Sequence, residues 1–416
     1  MNIADLRKLI PAISDRLEQT APRQLGDRAE FADRLRRGAE ARLDHVAAAA
    51  ERWRRDADLI DTALSAIADG AIEKVESEER QRKYQERQSF RESSIRRGNR
   101  IGGLRGLGLE RMLRSTSDFL SVEFFEAGID AARGVGRIKT IFSFGTGFLV
   151  GNDLLITNNH VIDSAEFAFG SRLELDAEEN RIGPPKQIQV FSLDPDRFFA
   201  TSPELDFTIV AVNPESDLGA PLSGYGYHPL IAGEGKIRIG DSVNVIQHPG
   251  AGPKNVVVHD SQLIFLSNEI EDDQFCFYTS DTDEGSSGAP VFNNRWEVIA
   301  LHHSSVPKVN TRGDLIDRHG KIISKQSAHD SPESIVWIAN EGVRVSRLVA
   351  GLKALELNDP MSQIREDLLA LWSEPVRARR SFPESLPSQE GAQRRPIELG
   401  DGEATIPINL TVSFRP

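Results

Sequence analysis

Cysteine is nearly absent from this sequence, and long apolar runs are absent altogether. The chain of 416 residues has a single cysteine, Cys276, so an internal disulfide framework is excluded. Cys276 lies in the alternating apolar run QFCFYT, where we expect a buried thiol rather than a reactive one. No stretch approaches the roughly 20 apolar residues that a membrane-spanning helix needs. The first residues, MNIADLRKLIPAISDR, lack the pattern of a secretory signal, so we expect a cytoplasmic protein.

Positive charge is also in short supply. The sequence has 50 Lys and Arg residues against 63 Asp and Glu residues, which gives a formal net charge of −13. This balance argues against nucleic acid or an anionic membrane as the main partner. The length allows two or three domains and at least one sizeable core.

Residues 1–110 have the pattern of a helical, coiled-coil-like module. Apolar residues recur there with alternating spacings of three and four, which places one apolar stripe along a long helix. We expect this stripe to pack within a helical bundle of the same chain or, alternatively, to pair with a helical partner or a second copy. The stripe consists of Leu43, Val46, Ala50, Trp53, Ala57, Ile60, Leu64 and Ile67.

Short β-type runs separated by Gly, Pro, Asn and Asp follow between about residues 138 and 340. Few helical windows lie between them, so they predict an antiparallel barrel or sandwich. A helical pattern over residues 340–357 closes this region. We expect a helix and a flexible linker over residues 356–403 and a half-buried strand over residues 404–416.

Three short motifs carry residues suited to nucleophilic catalysis. TNNHV, at the end of a predicted strand pair, contains His160; DFTIV begins with Asp206; GSSGAP contains Ser287. Amide hydrolysis needs a nucleophile, a base that accepts its proton, and donors that hold the oxyanion. A serine hydroxyl needs a histidine within reach and an acid that orients this histidine.

These motifs resemble those of the chymotrypsin-like (trypsin-like) serine peptidases. The chain order His160, Asp206, Ser287 is that of the family, and the separations of 46 and 81 residues suit two six-stranded β-barrels with the triad between them. The resemblance implies that Ser287 is the nucleophile, His160 the general base and then acid, and Asp206 the residue that orients His160. It also implies an oxyanion hole formed by the backbone N–H groups of Gly285 and Ser287. The phrasing IQHPGAGPK and GSSGAPVFNN is similar to that of the bacterial glutamyl-endopeptidase-like branch.

Other residues compete for these roles. Asp163 lies three residues after His160, but it belongs to the following turn. Ser286 is the neighbour of Ser287, but the pattern Gly-x-Ser-Gly-x-Pro selects Ser287. We interpret His248, in a Pro-Gly turn, as a loop residue. Because many relatives have an aspartate at the position of Ser286, we do not expect zymogen activation by insertion of a new N-terminus.

The specificity pocket is open to three interpretations. Asp281, six residues before Ser287, would attract Arg or Lys side chains if it were buried at the pocket floor. Thr282 and His302 resemble the Thr and His with which bacterial glutamyl endopeptidases hold an acidic side chain, which would favour Glu or Gln. In the third interpretation Asp281 is structural and points away from the pocket. We expect His303 to continue the edge strand that pairs with the substrate backbone.

The sequence therefore predicts an α+β multidomain protein, with an N-terminal helical module followed by an all-β double β-barrel peptidase domain over residues 111–355. We expect a serine endopeptidase that acts on proteins or peptides, with no cofactor and no metal. The helical module would serve docking, oligomerisation or regulation. The alternative is a catalytically silent protease fold that binds peptides or proteins without cutting them.

Overall fold

The computed structural model describes residues 28–96, 120–141, 143–266, 274–323 and 334–373. The predicted end of the helical module at residue 110, most of the linker and the predicted strand over residues 404–416 lie outside the described residues. Within the described ranges, no helix is long and apolar enough to cross a membrane.

The described part of the N-terminal region, residues 28–96, is helical, as predicted. Helix α1 ends where Asp56 interrupts it, and helix α2 ends at Gly70, whose φ of 71° lets its N–H bond back to the carbonyl groups of the last turn. A short 3-10 turn, Ile72–Lys74, then leads to the polar helix α3. The three helices are α1 (Arg28–Arg55), α2 (Ala57–Asp69) and α3 (Glu78–Arg96).

The apolar stripe of α1 and α2 packs on β-strands rather than on another helix. Ile60 of this stripe and Ala49, which adjoins it in sequence at Ala50, are fully buried in a cluster with Phe277 and Val306, which belong to the second of two sheets. Trp53 meets the Phe277 ring edge-on, with centroids 5.2 Å apart. The break at Asp56 rotates α2 relative to α1, so that its buried face consists of Ile60, Ala63 and Ala66, whereas Leu64 is exposed.

The first sheet contains seven antiparallel strands in the order β5-β4-β1-β2-β3-β7-β6. A bridge between Leu193 and Val212 joins the chain just after β5 to the chain just after β7, which curls the sheet into a half-barrel. The strands are β1 (Val135–Lys139), β2 (Phe144–Leu149), β3 (Leu154–Thr157), β4 (Arg172–Leu175), β5 (Gln189–Ser192), β6 (Phe199–Ser202) and β7 (Phe207–Ala211).

The second sheet also has seven antiparallel strands, in the order β10-β11-β14-β13-β12-β8-β9. A bridge between Ser242 and Gln262 brings its two ends together. The strands are β8 (Asn244–Gln247), β9 (Asn255–Val257), β10 (Leu263–Leu266), β11 (Phe275–Tyr278), β12 (Pro290–Phe292), β13 (Val298–Pro307) and β14 (Trp337–Arg344).

A shared core joins the two sheets. Phe148 and Phe207 of the first sheet and Phe292 and Val343 of the second lie in one buried cluster. The C-terminal helices close this cluster, and Trp372 donates its indole N–H to the carbonyl oxygen of Val150 at 2.7 Å. The remaining helices are α4 (Glu123–Arg133), α5 (Ala165–Phe169), α6 (Val345–Ala354) and α7 (Met361–Ser373).

The fold class is confirmed, with two differences in detail. Each sheet has seven strands, one more than the resemblance implies. The helical pattern over residues 340–357 begins as strand β14, and only Val345–Ala354 is helical. Tertiary pairing explains this difference, because β14 lies between β11 and β13 and forms hydrogen bonds with both.

We predict that replacing Ile60 by Ala lowers the free energy of unfolding by about 2–4 kcal/mol, because the side chain is fully buried between α2 and the second sheet. The matched control is Leu59→Ala, because Leu59 is 59% exposed and its removal should cost less than about 0.5 kcal/mol. Urea unfolding of both variants measures the difference. Equal costs would contradict the packing of α2 on the sheet.

Candidate active site

His160 lies just beyond the end of β3 and is bound to Asp206 at two points. Its ring Nδ1 is 2.8 Å from Asp206 Oδ2, and its backbone N–H donates to Asp206 Oδ1 at 3.0 Å. Asn158, two residues earlier, donates from Nδ2 to the Asp206 carbonyl oxygen at 2.9 Å. The His160 ring is 3% exposed. This pairing fixes both the position and the tautomer of the imidazole, because an ionised carboxylate can only accept a hydrogen bond.

Asp206 precedes β7 and is completely buried. Its φ of 45° places it in the left-handed region, an uncommon conformation that aspartate tolerates better than most residues. Burial acts to raise the pKa of Asp206, but His160, His303 and His45 outweigh burial and hold this pKa well below its usual range. Asp206 is therefore an ionised acceptor at neutral pH.

The loop around Ser287 is folded so tightly that glycine is required on both sides. Gly285 has φ 92° and Gly288 has φ 88°. A Cβ at Gly285 would lie 2.5 Å from the His248 carbonyl oxygen, and one at Gly288 would lie 2.1 Å from the Thr146 carbonyl oxygen. The Thr146 N–H donates to the Ser287 carbonyl oxygen at 2.8 Å. These contacts attach the loop to β2 and place it beside the motif that contains His160.

Two backbone donors in this loop are available. The Glu284 carbonyl oxygen accepts from the Gly250 N–H at 2.6 Å, so the trans peptide directs the Gly285 N–H the opposite way. Neither the Gly285 N–H nor the Ser287 N–H donates to any described residue. Two such donors in one turn suit the binding of an oxyanion.

The contact between Ser287 and His160 is not made in this structure. Among the described residues, His160 Nε2 has no hydrogen-bond partner although it is buried. The structure thus brings His160 and Asp206 together as predicted, whereas the hydrogen bond from the Ser287 hydroxyl is not formed. Such catalytic hydrogen bonds are often long or poorly aligned in the absence of substrate.

Asp281 is exposed, which favours the interpretation in which it points away from a buried pocket. The adjacent Thr282 instead belongs to a polar cluster. Asn340 donates from Nδ2 to the Ser280 carbonyl oxygen at 2.6 Å, which turns its Oδ1 towards two hydroxyl groups. Thr282 Oγ1 donates to this oxygen at 2.8 Å and Ser305 Oγ at 3.0 Å.

His302 and His303 face opposite surroundings although they are neighbours on β13. His302 Nδ1 is 2.7 Å from the Tyr278 hydroxyl, and burial lowers its pKa to about 3, so the ring is neutral. His303 bonds to Asp206 through Nδ1 and to Glu341 through Nε2. With both nitrogens engaged and the side chain 1% exposed, the His303 ring cannot bind substrate, and only its backbone remains for the predicted edge.

Three residues near Asp206 were not predicted. His45 Nε2 lies 3.5 Å from Asp206 Oδ1, and Arg52 binds Glu341. His45 and Arg52 are seven residues apart, the spacing of one helical face, which was the available signal. Glu341 lies in the stretch that we predicted to be helical, so the sequence offered no reason to expect its side chain near Asp206.

The cluster of His45, Asp206 and His303 has potential metal-ligand atoms within 4.8 Å of one another. A metal needs neutral imidazole ligands, whereas both nitrogens of His303 face carboxylates and its pKa is raised to about 9 despite the opposing effect of burial. His303 is therefore protonated at neutral pH, which disfavours metal binding.

The competing residues have other roles. Asp163 is exposed and accepts a hydrogen bond from Ser164. Ser286 is buried, and its hydroxyl oxygen accepts the Asp283 N–H at 3.1 Å. His248 is buried in its turn, with Nδ1 3.1 Å from the Gly252 carbonyl oxygen. Cys276 is buried, as expected, and burial raises its pKa to about 12.

Comparisons with known proteins cover this part of the chain. Residues 145–301 match the trypsin-like peptidase domain family. This match contains His160, Asp206 and Ser287 and ends just before His302.

Two curated relatives and one solved structure illustrate the likeness. The uncharacterized protein y4fB of Sinorhizobium fredii is 38% identical over 255 residues, which is 57% of this chain and 38% of the relative. A glutamyl endopeptidase of Staphylococcus aureus (strain MW2) is 26% identical over 192 residues, 44% of this chain and 54% of the relative. The chain thus spans about half the length of these relatives or less. The active form of the Rv3671c protease from M. tuberculosis is 15% identical, with a TM-score of 0.34, over 61% of this chain and 96% of that chain.

The buried histidines predict that stability falls in acid. Burial lowers the pKa of His45 and His228 to about 4 and that of His248 and His302 to about 3. An unfolded chain titrates histidine near pH 6.5, so below this pH it binds more protons than the folded chain. Each histidine then costs about 1.4 kcal/mol per pH unit until its folded pKa is reached.

His303 has the opposite sign, because its pKa is raised to about 9. Its stabilising contribution is complete below about pH 6.5 and is lost as the pH rises through about 9. Urea unfolding at about pH 5, 7.5 and 10 should therefore give the highest stability at the middle value. A substitution of the exposed His319 serves as the control and should leave this profile unchanged; equal stability at all three values would contradict the assigned protonation states.

Proposed function

We propose that this chain, which contains a trypsin-like peptidase domain, is a serine endopeptidase that hydrolyses protein substrates through His160, Asp206 and Ser287. The observation that carries this proposal is the ionised, fully buried Asp206 bonded at 2.8 Å to His160 Nδ1. A buried carboxylate is costly to keep, and here it holds an imidazole with its other nitrogen unbonded within the described residues.

The chemistry follows from the orientation of this ring. Asp206 accepts the Nδ1–H of His160, so Nε2 carries the lone pair. When substrate closes the gap, Nε2 takes the Ser287 proton as Oγ attacks the carbonyl carbon. His160 then gives this proton to the leaving amine, which produces an acyl-enzyme. Water, deprotonated by the same nitrogen, releases the acid and restores the Ser287 hydroxyl.

The oxyanion formed in each step would be held by the N–H groups of Gly285 and Ser287. Two observations support this role. Neither N–H donates to a described residue, and the positive φ of Gly285 sets the turn between the two donors. Loss of one such donor typically costs about 10²–10³ in kcat.

We propose that cleavage follows Glu or Gln rather than Arg or Lys. Asp281 is exposed, so no buried carboxylate at this position would attract a cation. Thr282 and Ser305 direct both hydroxyl protons at Asn340, which leaves their lone pairs to accept from an amide such as that of Gln. Glutamate is supported instead by the likeness of Thr282 and His302 to the glutamyl-endopeptidase pattern, which requires these hydroxyls to rotate.

For the N-terminal helices we propose regulation of the peptidase rather than docking or oligomerisation. The apolar stripe was expected to pack in a helical bundle of the same chain or on a helical partner, but the second sheet covers it, and Ile60 of the stripe is fully buried there. Helix α1 also brings His45 to within 3.5 Å of Asp206. A stripe that is already covered in the same chain offers little area to a partner.

Labelling with a fluorophosphonate tests the nucleophile. We predict that the full chain is labelled on Ser287 and that Ser287→Ala abolishes labelling, because only a serine activated by a base reacts readily. Ser286→Ala is the matched control and should retain the label, which mass spectrometry locates. A folded wild-type chain that takes up no label would favour the alternative of a catalytically silent binding module.

A library of mixed peptides, read by mass spectrometry, tests the specificity. We predict cleavage after Glu or Gln by the full chain, since the pocket offers hydroxyl groups and an amide. In Thr282→Val, which keeps the shape but removes the hydroxyl, we expect kcat/KM for these peptides to fall by roughly tenfold or more. Cleavage after Arg or Lys would contradict this pocket and would reassign specificity to Asp281.

A further inference from the structure

Position 303 is the extra residue of a β-bulge. His302 pairs with Gly342 and Ser304 pairs with Glu341, so the pairing of β13 and β14 is shifted at His303. A bulge re-aims the side chain at that point. The His303 ring consequently lies between two carboxylates, with Nδ1 3.0 Å from Asp206 Oδ2 and Nε2 2.7 Å from Glu341 Oε2.

The second carboxylate, that of Glu341, also binds an arginine of the N-terminal helix α1. Arg52 of helix α1 donates from Nε to Glu341 Oε1 at 2.7 Å and from Nη2 to Oε2 at 2.5 Å. This two-pronged geometry is specific to arginine. The guanidinium also lies 4.0 Å above the Phe275 ring, and Phe275 stacks on His303 with centroids 5.3 Å apart.

These contacts form an unbroken ionic row of alternating sign. Arg52 pairs with Glu341, and Glu341 accepts a hydrogen bond from His303. His303 also donates to Asp206, which in turn binds His160. Glu341, His303 and Asp206 have side chains that are at most 1% exposed, and Arg52 is 22% exposed. A buried ion that loses its partner is strongly destabilised, so each member depends on the next.

Helix α1 is held in place for this contact by close packing. Ala49 and Ala50, just before Arg52, are buried, and alanine lets the helix approach the sheet closely. His45 lies two helical turns before Arg52 on the same helix. Its ring centroid is 5.6 Å from that of His160 and 4.9 Å from that of His303. The helix therefore reaches the site at two points.

We propose that helix α1 is part of the catalytic centre and that Arg52 is a positioning residue that acts through Glu341 and His303 to hold Asp206 against His160. This inference rests on the proposed peptidase function. It gives the N-terminal helices a specific role: any event that lifts α1 from the second sheet removes Arg52 and lowers activity. The opposite arrangement, in which α1 only covers the site, would raise activity when the helix is loosened.

Point variants of the full chain test this role. We expect Arg52→Gln to lower kcat roughly 10- to 100-fold, the range typical of losing a residue that orients a metal ligand through a hydrogen bond. KM should change less than about twofold, because Arg52 acts through Glu341 rather than on the substrate. Arg52→Lys, which keeps the charge, should recover part of the loss. The matched control is Arg55→Gln on the same helix, since Arg55 is 45% exposed and pairs with its neighbour Asp56.

A double variant separates positioning from general damage. Arg52→Gln combined with Glu341→Gln removes both charges of the pair, and the amide oxygen introduced by the second substitution can still accept from His303. We expect the double variant to be more active than Arg52→Gln alone. Arg52→Gln leaves the two buried carboxylates of Glu341 and Asp206 to share the single cation His303, whereas the double variant leaves this cation with one carboxylate. If Arg52→Gln alone does not fold, the double variant and Arg52→Lys carry the test, and they should be soluble and partly active.

The outcomes distinguish this inference from the proposed function. Wild-type activity with an unchanged kcat in Arg52→Gln would overturn the positioning role alone. Faster labelling of Arg52→Gln than of the wild type would overturn it in favour of a covering helix. A wild-type chain that neither labels nor cleaves would overturn the peptidase function, and the inference with it.

Discussion

The carboxylate of Asp206 has no access to water, and the surrounding structure compensates for this one buried charge. Its oxygens are met by the backbone and ring of His160 and by the ring of His303, with His45 at 3.5 Å. Solvation lost on burial must be replaced by fixed donors, and these donors come from the end of β3, from β13 and from α1. The two sheets and the N-terminal helix therefore meet at a single ion, and the arrangement of each constrains the others.

Because of the bulge in β13, this one strand contributes residues both to the polar cluster around Asn340 and to the ionic row. Just before the bulge, His302 is neutral and bonded to Tyr278, and two residues after it Ser305 donates to Asn340. At the bulge itself, His303 is charged and lies between Asp206 and Glu341. Without an extra residue, strict alternation would place neighbouring positions on opposite faces at fixed spacing. The shift in pairing lets the strand carry the polar pocket and the ionic row within four residues.

The sequence predicted the parts of this design that are local. His160, Asp206 and the loop around Ser287 each lie in a short motif, and most strands of the two sheets lie in the short β-type runs between about residues 138 and 340. Strand β14 was missed because Asn340, Glu341 and Gly342 are poor strand formers. They occupy a strand because β14 pairs with β11 and β13, which places Asn340 in the polar cluster and Glu341 in the ionic row. The partner of the apolar stripe was missed for a similar reason. Spacing indicates that a face is buried, but it does not identify what covers it, and a sheet buries Ile60 as completely as a helix would have.

Arg52 and Glu341 are 289 residues apart in the chain, and this distance affects the order in which the molecule is assembled. During synthesis α1 emerges first and Ser287 emerges 54 residues before Glu341. At about 5–20 residues per second, roughly 3 to 11 s separate these two events. Throughout that interval β14 is missing from between β11 and β13, and His303 has only one of its carboxylates. A nascent chain that already contains His160, Asp206 and Ser287 therefore still lacks the ionic row that ends at Asp206, and this row is completed only when β14 is added.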